Sequence, residues 1–411
     1  MANQTSLHTP CAIAFIGGEY CDIESFDIEL TANGESSKCN MSILMEAIDS
    51  TVFANKTNEN SKVEVIVYTG YIEDKINSQQ YKLEVGKLVN SQVERSKILK
   101  KRFHGFVAQP EWNFGSESKV KLSCFDWSQL LREYKWEKNL KDGDTEISRI
   151  ISIAQSKLVD FKIQADPYTG TQRLGERDAD SNSRVYRASD KSIWEVLKEC
   201  ATKLNKNIFI EGRTVYITKY KEKPVEWPMY FLSMDSKKKL TNGQYFTNAS
   251  FKYGEIGESV KGNVVVDLYS SKLTKKGDAK ATYVRYPENA PVKQNTLYIK
   301  KYVKINSEES ELKTMAENIY KKLAKKTMTG NLELPFANNN IDVYDLVKIE
   351  CDDVENQINF VKDYYFSVNS ISESYGNGGY TQTIEIETDP DINKNTVSYS
   401  KLPAPKPKKR K

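Results

Sequence analysis

The chain has 411 residues, enough for two or three domains of about 150 residues each, and 39% of its residues are hydrophobic and 28% charged. No run of about 18 apolar residues occurs, which excludes a transmembrane helix, and the N-terminal segment lacks the basic region that opens a signal peptide. The net charge is +4, but residues 401–411 carry six positive charges and no acid, so removing them leaves −2. This near-neutral body argues against a dedicated nucleic-acid-binding protein, and we expect a soluble protein that folds in the cytoplasm.

Residues 1–140 are expected to form a first β-barrel. Apolar and polar residues alternate at 63–68, 103–107 and 120–125, and β-branched and aromatic side chains are frequent there. Breaks rich in Gly and Asn separate these segments. The alternation indicates strands with one buried face, which is typical of a barrel or a sandwich.

Residues 141–222 are expected to form a small α/β module. Apolar residues recur at helical spacing over 147–158, after Asp144 as a candidate N-cap. A second helix follows the capping-box pattern of Ser192 and Glu195, and Gly212 marks the turn between two short strands. The pattern therefore predicts a helix-plus-hairpin unit.

Residues 223–395 are expected to form a second β-barrel with one amphipathic helix. Strand patterns occur at 262–269, 297–305, 345–351 and 380–387. The helix is predicted over 308–326, where acids fill the first turn and lysines the last. Residues 396–411 are rich in Pro and Lys and are expected to be a disordered basic tail. The fold class is thus mainly β with an α+β insert, two barrels flanking the α/β module.

The search for catalytic chemistry finds little. The two histidines, His8 and His104, lie in a terminus and in a strand pattern, and the common nucleophile, zinc-protease, P-loop and dinucleotide motifs are absent. The acidic stretches 142–144, 178–182 and 389–393 lack the Gly and Glu of an EF-hand loop and are interpreted as turns and caps. The six cysteines lack metal-site spacing, and only Cys11 and Cys21 are candidates for a disulfide. We therefore expect no enzyme, no metal and no cofactor.

Three patterns resemble the phage tail hub family, also called late control protein D-like, which includes the hubs of contractile tails and tailocins. They are the strand pair 103–107 and 120–126, the helix and hairpin over 188–217, and the strands 345–349, 365–368 and 378–386. Members often carry a His before the Gly-Tyr-Thr signature, and this chain has none at 372–375. The residues that match the family motifs, all expected to be structural, are Phe103, Gly105, Phe106, Asp126, Trp194, Leu197, Gly212, Gly379, Tyr380 and Thr381.

The resemblance implies a geometric mechanism. Two tail-tube-like barrels per subunit would give a homotrimer six barrels around a central channel, matching a hexameric tail tube on one face and a trimeric spike on the other. The implied partners are further copies of the chain, the tail tube protein, a spike or tail-tip protein, the tape-measure protein and other baseplate subunits, with no membrane and no specific nucleic acid. The implied location is the virion tail baseplate, assembled in the host cytoplasm.

Other classes of protein remain open from the residues alone. The 24 Tyr, 15 Phe and 5 Trp are compatible with a β-rich receptor- or carbohydrate-binding tail protein, which needs an exposed aromatic patch. A cell-wall hydrolase needs a pair of carboxylates in a cleft. Nucleic-acid binding through residues 401–411 predicts a steep salt dependence that is lost with those residues.

Overall fold

The computed structural model describes segments of the chain between residues 8 and 388. The predicted tail at 396–411 and the acidic stretches 178–182 and 389–393 lie outside them. The described residues are 8–32, 34–48, 51–54, 62–73, 99–115, 118–167, 172–177, 183–204, 206–218, 225–231, 245–253, 264–273, 279–290, 292, 297–302, 309–324, 328–350, 361 and 364–388.

Among the described residues, the first barrel contains six strands and two short α-helices. Their pairings run β1–β4–β5–β6–β3–β2, and β2 pairs back to β1, so the ring of strands is closed. Closure leaves one face of each strand inside, and burial alternates accordingly along β3 and β6. The elements are β1 (His8–Ile16), β2 (Glu19–Thr31), β3 (Lys38–Leu44), α1 (Thr51–Ala54), β4 (Glu64–Glu73), β5 (Leu99–Asn113), β6 (Lys119–Asp126) and α2 (Trp127–Glu133).

The α/β module follows, and its described residues form two helices and two three-stranded sheets. One sheet has the order β7–β10–β9 and the other β11–β12–β8, in which β11 and β12 form the predicted hairpin. The hydrophobic faces of both helices pack into a core distinct from that of the barrel. The elements are β7 (Leu140–Lys141), α3 (Ile147–Lys157), β8 (Lys162–Ala165), β9 (Glu176–Arg177), β10 (Arg184–Tyr186), α4 (Ile193–Lys203), β11 (Asn207–Glu211) and β12 (Thr214–Thr218).

The helix caps of the module agree with the sequence in one case and differ in the other. Helix α4 begins at the expected capping box, in which Ser192 and Glu195 satisfy each other's backbone N–H groups. The predicted N-cap of α3 is wrong, because the residue at that position is Glu146, whose side chain makes no cap hydrogen bond. Asp144 instead lies in a preceding 3₁₀ turn and pairs with Arg149 at 3.2 Å.

The second barrel is interrupted by an insertion after its third strand. The insertion, β16 to α5, forms its own sheet in the order β17–β16–β18 with its own small hydrophobic core. The elements are β13 (Glu226–Phe231), β14 (Tyr245–Phe246), β15 (Asn248–Tyr253), β16 (Val264–Leu273), β17 (Ala279–Tyr286), β18 (Leu297–Tyr302), α5 (Glu309–Ala324), β19 (Met328–Leu334), β20 (Leu346–Glu350), β21 (Tyr365–Gly376) and β22 (Gly379–Thr388).

A buried carboxylate ties the strands of the insertion together. Asp267 on β16 accepts two hydrogen bonds from Arg285, at 2.8 and 2.7 Å, and one each from Tyr283 and Tyr298. Burial alone raises the pKa of Asp267, but these hydrogen bonds and the Arg285 charge outweigh it and leave the pKa below its usual value. The described parts of the strand patterns at 262–269 and 297–305, residues 264–269 and 297–302, thus belong to this sheet and not to the barrel.

The two barrels have the same strand connectivity. In the second barrel β13 pairs with β20, β20 with β21, β21 with β22, β22 with β19, and β19 with β15, while β14, which leads into β15, pairs back to β13. Taken in chain order with β14 and β15 as one strand, these pairings match those of β1 to β6 one for one. Only the direction of β13 differs, since it runs parallel to both neighbours. The chain therefore contains two copies of one six-stranded arrangement.

Candidate assembly site at the junction of the two barrels

The two barrels join through one antiparallel strand pair. Strand β2 pairs with β1 near its start, and its last part, from Phe26 to Thr31, pairs along the same edge with β21. The rings of Phe26 and Tyr375, directly opposite each other, stack at 5.4 Å. The barrels thus share a continuous sheet, whose backbone hydrogen bonds fix their relative position.

A buried arginine crosses this junction from the first barrel. The Arg102 guanidinium donates through Nε to Glu373 at 3.0 Å, and a second nitrogen contacts the same carboxylate. Its remaining nitrogen donates to the carbonyl oxygens of Asn339 and Ile341, at 3.2 and 2.8 Å. The side chains of Arg102 and Glu373 are only 3% and 0% exposed. Each charge therefore depends on the other for compensation.

The Glu373 carboxylate is also held by its own barrel. Gln382 donates to it at 2.8 Å and the Tyr380 hydroxyl at 2.7 Å. Tyr380 in turn lies 2.9 Å from the hydroxyl of Thr69 in the first barrel, and Asn339 donates to the Thr69 carbonyl at 2.7 Å. The network therefore spans both barrels and satisfies the buried groups it contains.

The electrostatics of the network favour the charged form of Arg102. Burial disfavours the charged guanidinium, but the adjacent Glu373 raises the pKa of Arg102 above its ordinary value. Burial, assisted by the Glu373 charge, also raises the pKa of Tyr380 well above its ordinary value. Tyr380 is therefore a neutral hydrogen-bond donor to the Glu373 carboxylate.

A second polar centre fixes helix α2, whose Trp127, Leu130 and Leu131 lie in the core of the α/β module, to the strands of the first barrel. Asp126 caps helix α2 by accepting from the Ser128 N–H at 2.9 Å, and it also accepts from the Ser37 N–H at 2.7 Å. Burial raises the pKa of Asp126, although these hydrogen bonds oppose the rise. One carboxylate thus joins the end of β6, the start of α2 and the segment before β3.

Helix α4 contacts the same segment through its tryptophan. The Trp194 indole N–H donates to the Gly34 carbonyl at 2.8 Å, and the Arg132 guanidinium lies 5.9 Å from the centre of the indole ring. Three residues further along α4, Leu197 is fully buried in the core of the module, which also contains Trp194 and Phe106. Trp194 and Leu197 therefore anchor the same side of this helix.

The Phe-x-Gly-Phe stretch of β5 divides its side chains between two cores. Phe103 packs inside the first barrel. Phe106 packs in the core of the module, where the centre of its ring lies 5.4 Å from the centre of the Trp127 ring. Gly105 lies where a Cβ atom would come within 2.0 Å of the Phe125 carbonyl oxygen, so only glycine allows β5 and β6 to approach this closely.

The glycine of the module hairpin packs against the same strand. Gly212 has a φ of +54°, which favours glycine at this turn, and a Cβ atom there would lie 2.7 Å from the His104 ring. His104 itself contacts Glu64 on the neighbouring strand at 2.9 Å. The neighbouring Phe209 reaches the second barrel, where its ring lies 5.5 Å from that of Tyr344. The hairpin therefore bridges the two barrels.

The Gly-Tyr-Thr signature has divided roles. Gly379 adopts a φ of +105° in the turn between β21 and β22, and Tyr380 enters the buried network. Thr381 is exposed opposite Ser374 and does not enter that network. The motif residues thus lie at the barrel junction, at the attachment of the module and in a hairpin turn, and the structure does not collect them in one cleft.

The sequence motifs did not include the charged residues of the junction. Arg102 belongs to a basic run with Lys100 and Lys101, which is typical of a solvated strand end. The sequence indicates Glu373 and Gln382 only weakly as junction residues, because both fall at the alternate strand positions whose side chains are buried. A charged or amide side chain in a phase otherwise filled by Ile and Tyr indicates a buried polar contact.

The described part of the chain contains no candidate metal site and no helix that could span a membrane. Within it, no three His, Cys, Asp or Glu side chains are grouped so as to hold a metal ion. The candidate disulfide between Cys11 and Cys21 is not formed, and both side chains are buried. No helix among the described residues is both long and apolar enough to span a membrane.

Comparison with solved structures identifies the fold. The chain is similar to a tail protein from Neisseria meningitidis MC58, with a TM-score of 0.58 and 12% identity over 93% of this chain and 97% of that one. It is also similar to the 43 kDa tail protein of prophage MuSo2 from Shewanella oneidensis, with a TM-score of 0.54 and 9% identity over 92% and 98% of the two chains. The prophage tail protein gp18 from Listeria monocytogenes EGD-e gives a TM-score of 0.50 and 9% identity, over 95% and 97%.

No family model matches the sequence, and no curated protein matches it. The likeness is therefore one of fold, carried by the arrangement of strands and not by shared residues. It extends over nearly the full length of each of these tail proteins. The chain has the fold of phage tail proteins, and the resemblance inferred from its sequence is confirmed at the level of fold.

Proposed function

We propose that the protein is a non-enzymatic structural subunit of a phage-type tail, the central hub of the baseplate. The observation that carries this proposal is the presence of two barrels with matching strand connectivity in one chain. Three chains would supply six such barrels, as many as a hexameric tail tube presents at its end. A homotrimer would then meet a trimeric spike with its own threefold symmetry. The chain would adapt one symmetry to the other.

The junction between the barrels supports a mechanical role. A shared sheet and a buried ion pair hold the two barrels as one body, so their spacing around the axis would be set within each subunit. The likeness in fold to phage tail proteins points the same way. The proposed partners are other copies of the chain, the tail tube protein and a spike or tail-tip protein. The tape-measure protein and other baseplate subunits would join them in the virion tail, assembled in the host cytoplasm.

The proposal is tested by the mass of the full chain in solution. Light scattering on the purified protein, alone and with its candidate spike, is expected to give three times the chain mass of 47.0 kDa in at least one of the two samples. Negative-stain averages of that peak are expected to show a ring with a pseudo-sixfold outline around a channel. A stable monomer in both samples, without rings, would refute the symmetry adaptor and favour a receptor-binding tail protein.

A further inference from the structure

The two-barrel repeat indicates which two strands would pair with each other between copies of the chain. Within the chain, β2 of the first barrel pairs with β21 of the second. By connectivity β15 corresponds to β2, and β5 corresponds to β21. Among the strands that the structure describes, β15 pairs with β19, and the end of β5 beyond Val107 pairs with β6 alone. The pairing that joins the barrels inside one chain thus has a counterpart that two chains can form.

The register of that counterpart follows from matching irregularities. Strands β5 and β21 each carry a bulge in their pairing with the next strand along the chain, after Val107 and after Val368, and β5 has a second irregularity against β4 at Arg102. The Val107 N–H donates to the Val63 carbonyl, and the Val368 N–H donates to the equivalent Asp345 carbonyl, both at 2.9 Å. Val107 therefore corresponds to Val368, so Glu111 corresponds to Ser372 and Phe114 to Tyr375.

The same comparison of residue pairs aligns β15 with its equivalent strand, β2. Residue pairs across the sheet link Ile28 through Cys39 to Cys124, which faces Val107. Equivalent pairs link Phe251 through Gly330 to Ile386, which faces Val368. Phe251 therefore corresponds to Ile28. Because Glu29 pairs with Ser372 within the chain, Lys252 of one copy would lie opposite Glu111 of the next.

We propose that β15 of one copy pairs antiparallel with the end of β5 of the next copy, with Lys252 opposite Glu111. The proposal rests on the homotrimer proposed above and specifies the contact that builds it. Since the two edges differ, the contact is head to tail, and three such contacts close a ring of six barrels without leaving either edge exposed.

The side chains at the proposed contact are complementary. Lys252 and Glu111 are both exposed and of opposite charge. The hydrogen bond from the Ala32 N–H to the Asn369 carbonyl makes Glu29 and Ser372 a non-hydrogen-bonded pair, so the equivalent Lys252 and Glu111 would have closely spaced side chains. A charge pair in this register therefore favours it over a slipped one.

Aromatic residues at the same edge support the same register. Phe114 is 78% exposed, although its counterpart Tyr375 is covered by Phe26 within the chain. In the proposed contact Phe114 is covered by β15, and Trp112 lies opposite Phe251. Pro110 removes one backbone donor from this edge, so the ladder between copies has one hydrogen bond fewer than the ladder between β2 and β21.

A cysteine pair tests the register. In the full chain, Glu111→Cys combined with Lys252→Cys places two thiols opposite each other across the contact, at a separation that a disulfide can span. Mild oxidation is expected to give covalent dimers and trimers on a non-reducing gel. The matched control combines Glu111→Cys with Ser250→Cys, two residues out of register, and is expected to give several-fold less cross-linking. The parent chain controls for the native cysteines.

The outcomes separate this contact from the homotrimer itself. In-register cross-linking of a protein with trimer mass supports the contact. Trimer mass without cross-linking, or with equal cross-linking in both cysteine pairs, overturns the contact and leaves the homotrimer intact. A monomer at every concentration, with and without the spike, overturns the homotrimer and the contact together.

Charge reversal gives a second measurement that does not depend on cysteines. Glu111→Lys and Lys252→Glu are each expected to weaken association by roughly tenfold per contact, because like charges then face each other. The combined variant is expected to restore most of the loss. If it associates no better than the single variants, the pairing of these two residues is refuted.

Discussion

The buried ion pair between Arg102 and Glu373 is expected to dominate the stability of the barrel junction. Replacing Arg102 with Met leaves the Glu373 charge buried with only two of its donors, Gln382 and Tyr380, and removes the donor to two carbonyl groups. Breaking one partner of a buried pair costs about 3–5 kcal/mol. Glu373→Met is expected to cost a similar amount, since it leaves the guanidinium uncompensated.

The double variant separates this effect from a simple loss of packing. With both charges replaced by Met, no buried charge remains, and the residual cost arises from the polar groups that lose their partners, at about 1–3 kcal/mol each. The double variant is therefore expected to be more stable than the sum of the single variants predicts, by about 1–3 kcal/mol. Urea denaturation followed by tryptophan fluorescence measures these free energies of unfolding.

An exposed pair in the same fold provides the control. Lys38 and Glu29 lie 4.0 Å apart with side chains 54% and 51% exposed, and their double-mutant cycle is expected to give a coupling below about 1 kcal/mol. If Arg102→Met costs no more than the control substitutions, or if its effect adds to that of Glu373→Met, then the ion pair does not hold the barrels together.

Three further predictions concern other parts of the chain. Gly105→Ala is expected to destabilise the protein by about 3 kcal/mol or more because its Cβ would meet a backbone carbonyl, whereas Gly115→Ala, in open space, should change thermal stability by less than about 0.5 kcal/mol. Trp194→Phe removes one buried donor and should cost about 1–3 kcal/mol in urea denaturation. Asp267→Asn should lower the melting temperature at pH 7. Because the folded pKa of Asp267 is depressed, its contribution is present above the unfolded value of 3.8 and lost as pH falls through the folded pKa, so parent and variant should converge in acid.

Local structure was accessible from the sequence because it depends on short-range patterns. Alternation located β6 to within a residue or two, and helical spacing with charged ends predicted 308–326 where α5 spans Glu309–Ala324. The capping box at Ser192 marked the start of α4. The mainly β fold class with its α/β insert followed from the order of these elements and is confirmed by the structure.

The barrel junction could not be predicted in the same way, because its contacts join residues far apart in the chain. Arg102 and Glu373 are 271 positions apart, and alternation indicates only that each strand has an inner face. Which strands pair across the barrels, and hence which polar residues become buried, depends on a register that no local pattern contains. The insertion between β15 and β19 was missed for the same reason, since its strands resemble those of the barrel.

The repeat is not visible in the sequence because strand pairing constrains the backbone, whereas the side chains at equivalent positions can differ. Cys39 in the first barrel corresponds to Gly330 in the second, and Trp112 corresponds to Glu373. Equivalent positions therefore form the same backbone pairing, although their side chains are chemically unrelated. The bulges after Val107 and Val368 are retained in both copies because they alter the course of the strand itself.

The correspondence between the two barrels also explains how equivalent strand edges would form a junction within the chain and a contact between copies. Within the chain, the position of Glu373 carries a charge that is compensated only by Arg102, which commits the two barrels to each other as soon as they fold. In the contact proposed between copies, that position is Trp112, and the position of Gln382 is Val120 on β6. Neither residue leaves a buried charge when the copies separate, so a single chain can fold without its neighbours. The internal junction would then form first, and assembly into a ring would follow as a separate, concentration-dependent step.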